Sequence, residues 1–303
     1  MKDLTINNIN IGKLPSDWKD FTKKDIKALC KFLTPGICPD SLKVLLLLFV
    51  TKLKVLNAPS IPSPDKLPDK TLFAMKSKKT GVFYANNADL QALVDSFSFL
   101  FNEKDDKIYL ESGIVINYFP YLRTKYGRKL YGPSSGLFNI TFAEFIRLET
   151  LYENFRIGKT PDSEDRFCGT IYRKRDPKAN PMSPEFSGDI RNPFNDHLAK
   201  KYTQNGSMLS PWKKIFIRLF YEGCRNFIIK KYENAFRSYE HSQEPGNTTF
   251  ENYNRLVTGL SNGDLTKANL IRKAPLYDAF AQLEALVIEK RNYENALNKK
   301  PVY

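Results

Sequence analysis

Histidine and cysteine, the side chains that most often ligate transition metals or act as nucleophiles, are scarce in this chain of 303 residues. His197 and His241 have no second histidine or cysteine at the spacing of a zinc site. Cys30 and Cys38 are the closest pair of cysteines, and their separation fits no common zinc or redox motif. We therefore expect no metal or other cofactor, and reduced structural thiols of the kind found in the cytoplasm.

Carboxylates offer another route to catalysis, because two or three acids can converge on a divalent cation from distant parts of a chain. Asp162, Glu164 and Asp165 are clustered, and so are Glu185 and Asp189. Turns and helix starts explain acids at such places equally well. Nucleophile-elbow, zinc-protease and P-loop motifs do not occur. The sequence therefore predicts a protein that is not an enzyme, with a metal-dependent nuclease as an alternative.

The clearest binding pattern lies in residues 117–132, where aromatic and cationic side chains alternate. Aromatic rings stack on nucleobases while cations follow the phosphates, so this composition suits single-stranded nucleic acid. It suits equally an aromatic loop that is held by the protein core with its cations in water. The candidate nucleic-acid contacts are Tyr121, Arg123, Lys125, Tyr126, Arg128 and Lys129. A second candidate is a basic face on a predicted helix, with Lys213, Lys214, Arg218, Arg225, Lys230 and Lys231.

The chain as a whole is basic, with 47 lysines and arginines against 33 acids and a formal net charge of +14. Such an excess suits a non-specific DNA contact or an acidic protein surface, and it also keeps an aromatic-rich protein in solution. The first residues lack an apolar signal core, and the longest apolar run is far shorter than the ~20 residues of a membrane span. We expect neither secretion nor a membrane partner.

Two helix starts carry the same local signal, a threonine followed three residues later by an acid. Thr22 and Asp25 predict a capping box for a helix over 22–33, and Thr141 and Glu144 predict another. In a capping box the threonine hydroxyl accepts from the backbone of the acid, whose carboxylate returns to the threonine amide. We therefore expect both acids to be used locally.

Proline and β-rich segments interrupt the helical pattern. Four prolines in residues 59–70 predict an extended connector, and short β-rich runs make residues 71–118 a small α+β insert. Residues 1–58, in which the wide apolar side of helix 40–56 should be largely buried, are expected to form one compact unit with the helical residues 119–303. The predicted fold is mainly α (α+β), with a bundle-like helical core and a small β-hairpin or sheet insert.

The last predicted helix, over residues 275–299, carries a narrow apolar stripe. The stripe is too short for a coiled coil, and packing within the helix's own domain would explain it. Contact with another subunit is the alternative. The candidate interface residues are Leu276, Phe280, Leu283 and Val287.

Three stretches together resemble segments of one protein family. Residues 130–155, LYGPSSGLFNITFAEFIRLETLYENF, are similar to a segment of the form Y-G-P-x-x-G-L-x-N-[IL]-T-[FW]-x-E-[FY]. SGDIRNPFND and WKKIFIRLFYEGCRNFI resemble the later segments R-x-P-F-N and Y-x-W-F-x-G-C-R, and the tail from LSNGDLTK onwards resembles the closing pattern. The family comprises poorly characterised proteins of bacteriophages and prophages of the Bacteroidetes type.

The resemblance implies a virion or tail-morphogenesis protein, because such proteins tend to be encoded in structural gene regions. It would act as a structural component or an assembly chaperone through contacts with other phage structural or tail proteins, and self-association into a homo-oligomer is a further expectation. It would reside in the host bacterial cytoplasm during assembly and in the virion if it is a component. The shared motifs are packing and turn motifs, so they supply no site residues. A nucleic-acid-binding protein is the alternative function.

Overall fold

The chain forms two compact units, Met1–Ile114 and Val115–Tyr303. Residues 1–58 therefore belong with the small β elements that follow them, whereas the sequence suggested that they join 119–303. The predicted connector over 59–70 lies outside the described residues. The computed structural model describes residues 2–6, 9–33, 37–56, 73–77, 81–104, 107–158, 160–184, 186, 188–236, 249–261 and 263–298.

The first unit combines helices with small antiparallel sheets. Its helices are α1 (Lys23–Phe32), α2 (Pro39–Thr51) and α3 (Asn87–Asp95). Its strands are β1 (Lys2–Ile6), β2 (Ile9–Leu14), β3 (Lys54–Val55), β4 (Phe73–Ser77), β5 (Gly81–Ala85), β6 (Phe101–Lys104) and β7 (Lys107–Leu110). The strands pair as β1–β2, β3–β4–β5 and β6–β7. The hairpin expected in the insert is formed by β4 and β5.

Helix α1 begins as its sequence predicts. The Thr22 hydroxyl accepts from the Asp25 amide at 3.4 Å, and the Asp25 carboxylate accepts from the Thr22 amide at 2.8 Å. This capping box satisfies two amides that a helix start would otherwise leave without partners.

Helix α2 is less buried than the sequence predicts. It packs on α1, β2 and α3, and its residues Leu42 and Leu46 are fully buried there. On another side Val44, Leu45 and Phe49 are each about 40% exposed. The prediction of a largely buried helix was wrong for this side, because the described elements of the first unit cover α2 on only part of its surface.

The second unit is mainly helical, which confirms the predicted fold class. Its helices are α4 (Phe142–Arg156), α5 (Ser163–Ile171), α6 (Ala199–Ser207), α7 (Pro211–Lys231), α8 (Thr249–Ser261), α9 (Leu265–Lys273) and α10 (Leu276–Asn298). A hairpin of β8 (Tyr121–Arg123) and β9 (Lys129–Tyr131) precedes them. Within the described part of the chain, no helix has the length and apolar character needed to cross a membrane.

Helices α5 and α6 approach each other backbone to backbone. A Cβ atom placed on Gly169 would overlap the carbonyl oxygen of Tyr202, and one on Gly206 would overlap that of Asp165. Two glycines thus allow the contact from both sides. The close packing explains how α6 forms from a segment that contains threonine, asparagine, glycine and serine, which are weak helix formers.

The predicted interface stripe of α10 faces largely inward. The Phe280 ring lies 5.4 Å from the rings of Phe142 and Phe145, measured between centroids. Leu276 and Leu283 are buried with it, and Val287 is half-buried. Leu276, Phe280 and Leu283 therefore belong to the core of the second unit rather than to an exposed surface.

Candidate nucleic-acid interface and buried ion cluster

All six candidate nucleic-acid contacts lie on the hairpin of β8 and β9, which we call the basic hairpin (residues 121–131). The sequence pattern was equally compatible with an aromatic loop, and the structure shows a short antiparallel ladder instead. Leu122 and Leu130 are buried opposite each other and hold the hairpin on the second unit. Side chains alternate along a strand, so the neighbouring pairs point to the other side. These pairs are Tyr121–Tyr131 and Arg123–Lys129.

A compact turn closes the basic hairpin. The Thr124 amide donates to the carbonyl of Arg128 at 2.8 Å, and the Gly127 amide donates to the carbonyl of Thr124 at 3.0 Å. Gly127 has a φ of 80°, in the left-handed region that this type of three-residue loop requires. The turn therefore fixes Lys125 and Tyr126 at the tip.

The basic hairpin is tied to the rest of the second unit at both ends. At its tip the Lys125 amide donates to the carbonyl of Met208 at 2.9 Å. At its base Tyr131 and Arg173 exchange backbone hydrogen bonds of 2.6 and 3.0 Å. The candidate contacts are thus presented by a defined scaffold, as a binding surface requires.

The cations and aromatic rings of the basic hairpin are accessible. Tyr126 is 69% exposed and Tyr121 is 46% exposed. The Lys125 ammonium lies 5.2 Å from the centroid of the Tyr126 ring, and that of Lys129 lies 4.9 Å from the Tyr121 ring. Each ring is therefore accompanied by a positive charge, so a base and its phosphate could be bound together.

Within the described part of the chain, no acidic side chain neutralises the charges on the basic hairpin. Arg123 and Lys129 are directly opposite each other, an arrangement that destabilises a strand pair. Among the described residues, no carboxylate forms an ion pair with either of them, nor with Lys125 or Arg128. The hairpin thus presents four uncompensated cations.

Most cations of the second candidate, the basic face of α7, bind other groups of the protein. Lys213 donates to the carbonyl of Arg123 and supports the hairpin, while Lys230 and Lys231 are exposed near the helix end. The other three cations are paired with carboxylates: Lys214 with Asp165, Arg218 with Glu222, and Arg225 with Glu149. The structure therefore does not provide a continuous free basic face on α7.

A second group of charged side chains, which we call the buried ion cluster (Glu144, Arg173, Asp189 and Arg191), is buried except for Asp189, whose side chain is 15% exposed. Arg173 donates to both carboxylate oxygens of Glu144, at 2.7 and 3.1 Å. Arg191 lies 3.0 Å from Glu144 and donates to both oxygens of Asp189, with a shortest distance of 2.8 Å. The two arginines and two acids compensate each other in charge, as buried ions must.

Backbone carbonyls accept the remaining hydrogen bonds of the buried ion cluster. Arg173 donates to the carbonyls of Thr170 and Asn192, each at 2.8 Å, and Arg191 donates to that of Ile171 at 2.9 Å. These bonds join α4, the end of α5 and the segment around 190. Since the Arg173 backbone also pairs with Tyr131, the cluster supports the base of the basic hairpin.

The protonation of Glu144 reflects this environment. Burial by itself raises the pKa of the Glu144 carboxyl, but the charges of Arg173 and Arg191 outweigh burial and hold that pKa below its usual value. The pKa of Arg191 is raised because Glu144 and Asp189 outweigh the opposing effect of burial. Glu144 and Arg191 are therefore both charged at neutral pH.

A cavity of about 800 Å³ opens beside the buried ion cluster. Its walls come from the start of α4, the segment 176–194 and the end of α9, all in the second unit. The cavity is lined by Phe138, Asn139, Ile140, Thr141, Ala143, Glu144, Arg173, Asp176, Lys178, Ala179, Asn180, Ser183, Phe186, Asp189, Arg191, Pro193, Phe194, Arg272, Lys273 and Pro275.

The acid groups that the sequence singled out have separate roles. Glu164 and Asp165 lie beside Lys214, and Asp189 belongs to the buried ion cluster. His197 is exposed, whereas His241 and Glu185 lie outside the described residues. Among the described residues, no three histidine, cysteine or acidic side chains come together as a metal site would require.

Sequence reasoning missed the buried ion cluster, because its members are far apart in the chain. Glu144 was assigned to a helix cap and Asp189 to a turn, Arg173 did not stand out, and Arg191 was noted only within the R-x-P-F-N segment. The only available signal was the presence of acids and arginines in segments otherwise rich in apolar and turn residues.

Comparison of the chain with protein-family models, with curated proteins and with solved structures gave no match.

Proposed function

We propose that this protein binds single-stranded nucleic acid through the basic hairpin. The observation that carries the proposal is the uncompensated cross-strand pair of Arg123 and Lys129 on a surface with exposed tyrosines. Folding gains nothing from placing two like charges opposite each other. A bound polyanion would remove this cost, since each phosphate that a lysine or arginine neutralises releases condensed counterions and so stabilises the complex.

The exposed rings favour an unpaired strand over a duplex. Tyr121 and Tyr126 could stack only on bases whose faces are accessible, and duplex bases are covered by their neighbours. Stacking is available to every base, so we expect little sequence specificity. The formal net charge of +14 would add a non-specific attraction that falls as the salt concentration rises.

Removing the four hairpin cations tests the proposal. The variant with Arg123, Lys125, Arg128 and Lys129 changed to alanine is expected to bind a fluorescein-labelled oligothymidylate at least ~100-fold more weakly at moderate salt. The slope of log affinity against log salt should shrink by about 0.7 for each phosphate that the variant no longer binds. Fluorescence anisotropy over a series of sodium chloride concentrations measures both quantities.

A matched control separates the site from overall charge. Changing the exposed Lys24, Lys31, Lys200 and Lys201 to alanine removes the same charge elsewhere and should weaken binding far less. A variant with Tyr121 and Tyr126 changed to alanine should lose ~1–3 kcal/mol per stacked base while the salt slope stays unchanged. Equal losses of affinity in the four-alanine hairpin variant and in the lysine control would refute the hairpin as the site. An absence of binding by the wild type would refute it as well.

A second proposal follows from the resemblance: a phage morphogenesis protein that acts through protein contacts. One structural observation favours it, the exposed apolar side of α2 formed by Val44, Leu45 and Phe49. Large apolar side chains that cluster on a surface are typical of protein interfaces. This side of α2 replaces the stripe of α10 as the candidate contact, since most of that stripe is buried.

Light scattering tests self-association through this side of α2. If the wild type is an oligomer, changing Val44 and Leu45 to aspartate should reduce the mass to that of one chain, 34.9 kDa. The helical circular dichroism signal should be retained, because both side chains are exposed. An oligomer whose mass does not change would exclude this surface as its contact. A monomeric wild type would exclude self-association and leave other phage proteins as the partners.

A further inference from the structure

The cavity beside the buried ion cluster has properties that the hairpin proposal does not use. Its volume of about 800 Å³ is within the range of small-molecule sites in proteins. Its floor is formed by charged groups that are already paired with one another, Glu144 with Arg173 and Arg191 with Asp189. The floor is therefore electrically balanced, and the remaining lining residues determine which charge the cavity attracts.

The remaining charged side chains of the cavity are Asp176, Lys178, Arg272 and Lys273. Three cations face a single acid, so the cavity as a whole has five cationic and three acidic side chains. Among the described residues, neither Lys178 nor Lys273 pairs with a carboxylate, and Arg272 donates to the neutral side chain of Asn254 at 3.2 Å. The cavity thus has an excess of two positive charges.

Aromatic side chains accompany these cations. The Phe138 ring stacks on Tyr277 with a centroid distance of 4.4 Å, yet Phe138 remains more than half exposed. Phe186 and Phe194 are half-buried in other walls of the cavity. A ligand in this space would meet cations and exposed parts of aromatic rings together.

We propose that this cavity binds a small phosphate monoester with an aromatic ring, of which a nucleoside monophosphate is the simplest form. A phosphate monoester has a charge close to −2 at neutral pH, which matches the excess of positive charge in the cavity. Lys178, Arg272 and Lys273 would hold the phosphate, and Phe138 would contact the base. The residues that line this cavity are different from those of the basic hairpin.

Isothermal titration calorimetry with adenosine monophosphate tests the site. The wild type should bind this nucleotide, and a variant with Lys178 and Lys273 changed to alanine should bind it at least ~10-fold more weakly, because two charge-assisted hydrogen bonds are removed. Both lysines are exposed and outside the buried ion cluster, so the variant should fold. A variant with the exposed Lys200 and Lys201 changed to alanine should bind like the wild type.

Related ligands and variants define which outcome counts against the proposal. Adenosine, which lacks the phosphate, should not bind measurably, and ribose 5-phosphate, which lacks the base, should bind more weakly than the nucleotide. Inorganic phosphate that binds as tightly as the nucleotide would overturn the assigned ligand class. An absence of nucleotide binding, or equal binding by the two lysine variants, would overturn the site. The four-alanine hairpin variant should retain nucleotide binding, which separates this test from that of nucleic-acid binding.

Discussion

Replacing Glu144 by glutamine is expected to lower the free energy of unfolding of the second unit by ~3–5 kcal/mol. Glutamine has nearly the same size, so the change removes a charge without opening a cavity. It leaves Arg173 and Arg191 with Asp189 as the nearest carboxylate, at 3.6 and 2.8 Å. A buried positive charge without a counterion is costly, because water no longer solvates it.

Urea denaturation followed by the fluorescence of Trp212 measures this loss. The chain has two tryptophans, and a Trp18→Phe background leaves Trp212, on α7, as the reporter of the second unit. Glu153→Gln is the matched control, since Glu153 is exposed on the same helix and should change stability by less than ~0.5 kcal/mol. Similar losses of unfolding free energy in Glu144→Gln and Glu153→Gln would show that the buried charge of Glu144 does not stabilise the second unit.

A paired substitution separates charge from packing at the buried ion cluster. Adding Arg173→Met to Glu144→Gln removes one positive charge and leaves Arg191 paired with Asp189. Buried ion pairs can often be replaced by apolar side chains of similar volume at little cost, so the double variant should be more stable than Glu144→Gln alone. A further loss instead would indicate that the hydrogen bonds of Arg173 to backbone carbonyls dominate its contribution.

The low pKa of Glu144 also determines how the protein responds to acid. Its carboxyl titrates at a lower pH in the folded chain than in the unfolded chain, so the unfolded chain binds more protons in this range. The stabilisation is therefore complete above the unfolded pKa of ~4.3 and is lost as the pH falls through the folded pKa. As the pH falls, the free energy of unfolding should accordingly decrease less for Glu144→Gln than for the wild type, because glutamine has no carboxyl to protonate.

The start of α4 shows how far local sequence signals reach. The sequence predicts a capping box between Thr141 and Glu144, and half of it is present: the Thr141 hydroxyl accepts from the Glu144 amide at 3.2 Å. The carboxylate of Glu144, however, bonds to Arg173 and Arg191, which are 29 and 47 residues away. The spacing of a capping box describes one helical turn and contains no information about such distant partners.

Short strands explain why the basic hairpin was not predicted although its residues were. Each strand has three residues, which is too few for the alternation of apolar and polar side chains to be recognised. The pairing of Leu122 with Leu130 depends on the surface beneath them, and tertiary contacts of this kind are invisible in composition. The alternation of tyrosines and cations, by contrast, was sufficient to identify the six exposed side chains.

For a related reason the sequence misjudged the burial of α2 and left two explanations open for the stripe of α10, packing in its own domain or contact with another subunit. Both helices have apolar stripes, and periodicity shows that a stripe exists but not what covers it. Aromatic residues of α4 cover Phe280, whereas no described element of the first unit covers Phe49 to the same extent. Only the tertiary arrangement distinguishes a core stripe from an exposed one.

Changing Gly169 to alanine is expected to destabilise the second unit by about 3 kcal/mol or more. The added methyl group would overlap the carbonyl oxygen of Tyr202, and backbone on both sides cannot move away as a flexible side chain could. Helices α5 and α6 would have to separate, and Gly206→Ala should act in the same way from the other helix. The fluorescence of Trp212 during urea denaturation measures both effects.

Gly259→Ala is the control, because it is the same substitution in a helix with open space. Apart from adjoining atoms of its own helix, no atom of the described residues lies within 4 Å of a Cβ placed on Gly259 in α8, so alanine should stabilise the chain by ~0.5–1 kcal/mol through its higher helix propensity. The free energy of unfolding should therefore fall for Gly169→Ala and rise for Gly259→Ala. Alanine tolerated at both Gly169 and Gly206 would contradict the backbone contact. Destabilisation at both would instead support the view that α6, whose sequence favours helix only weakly, forms because α5 packs against it.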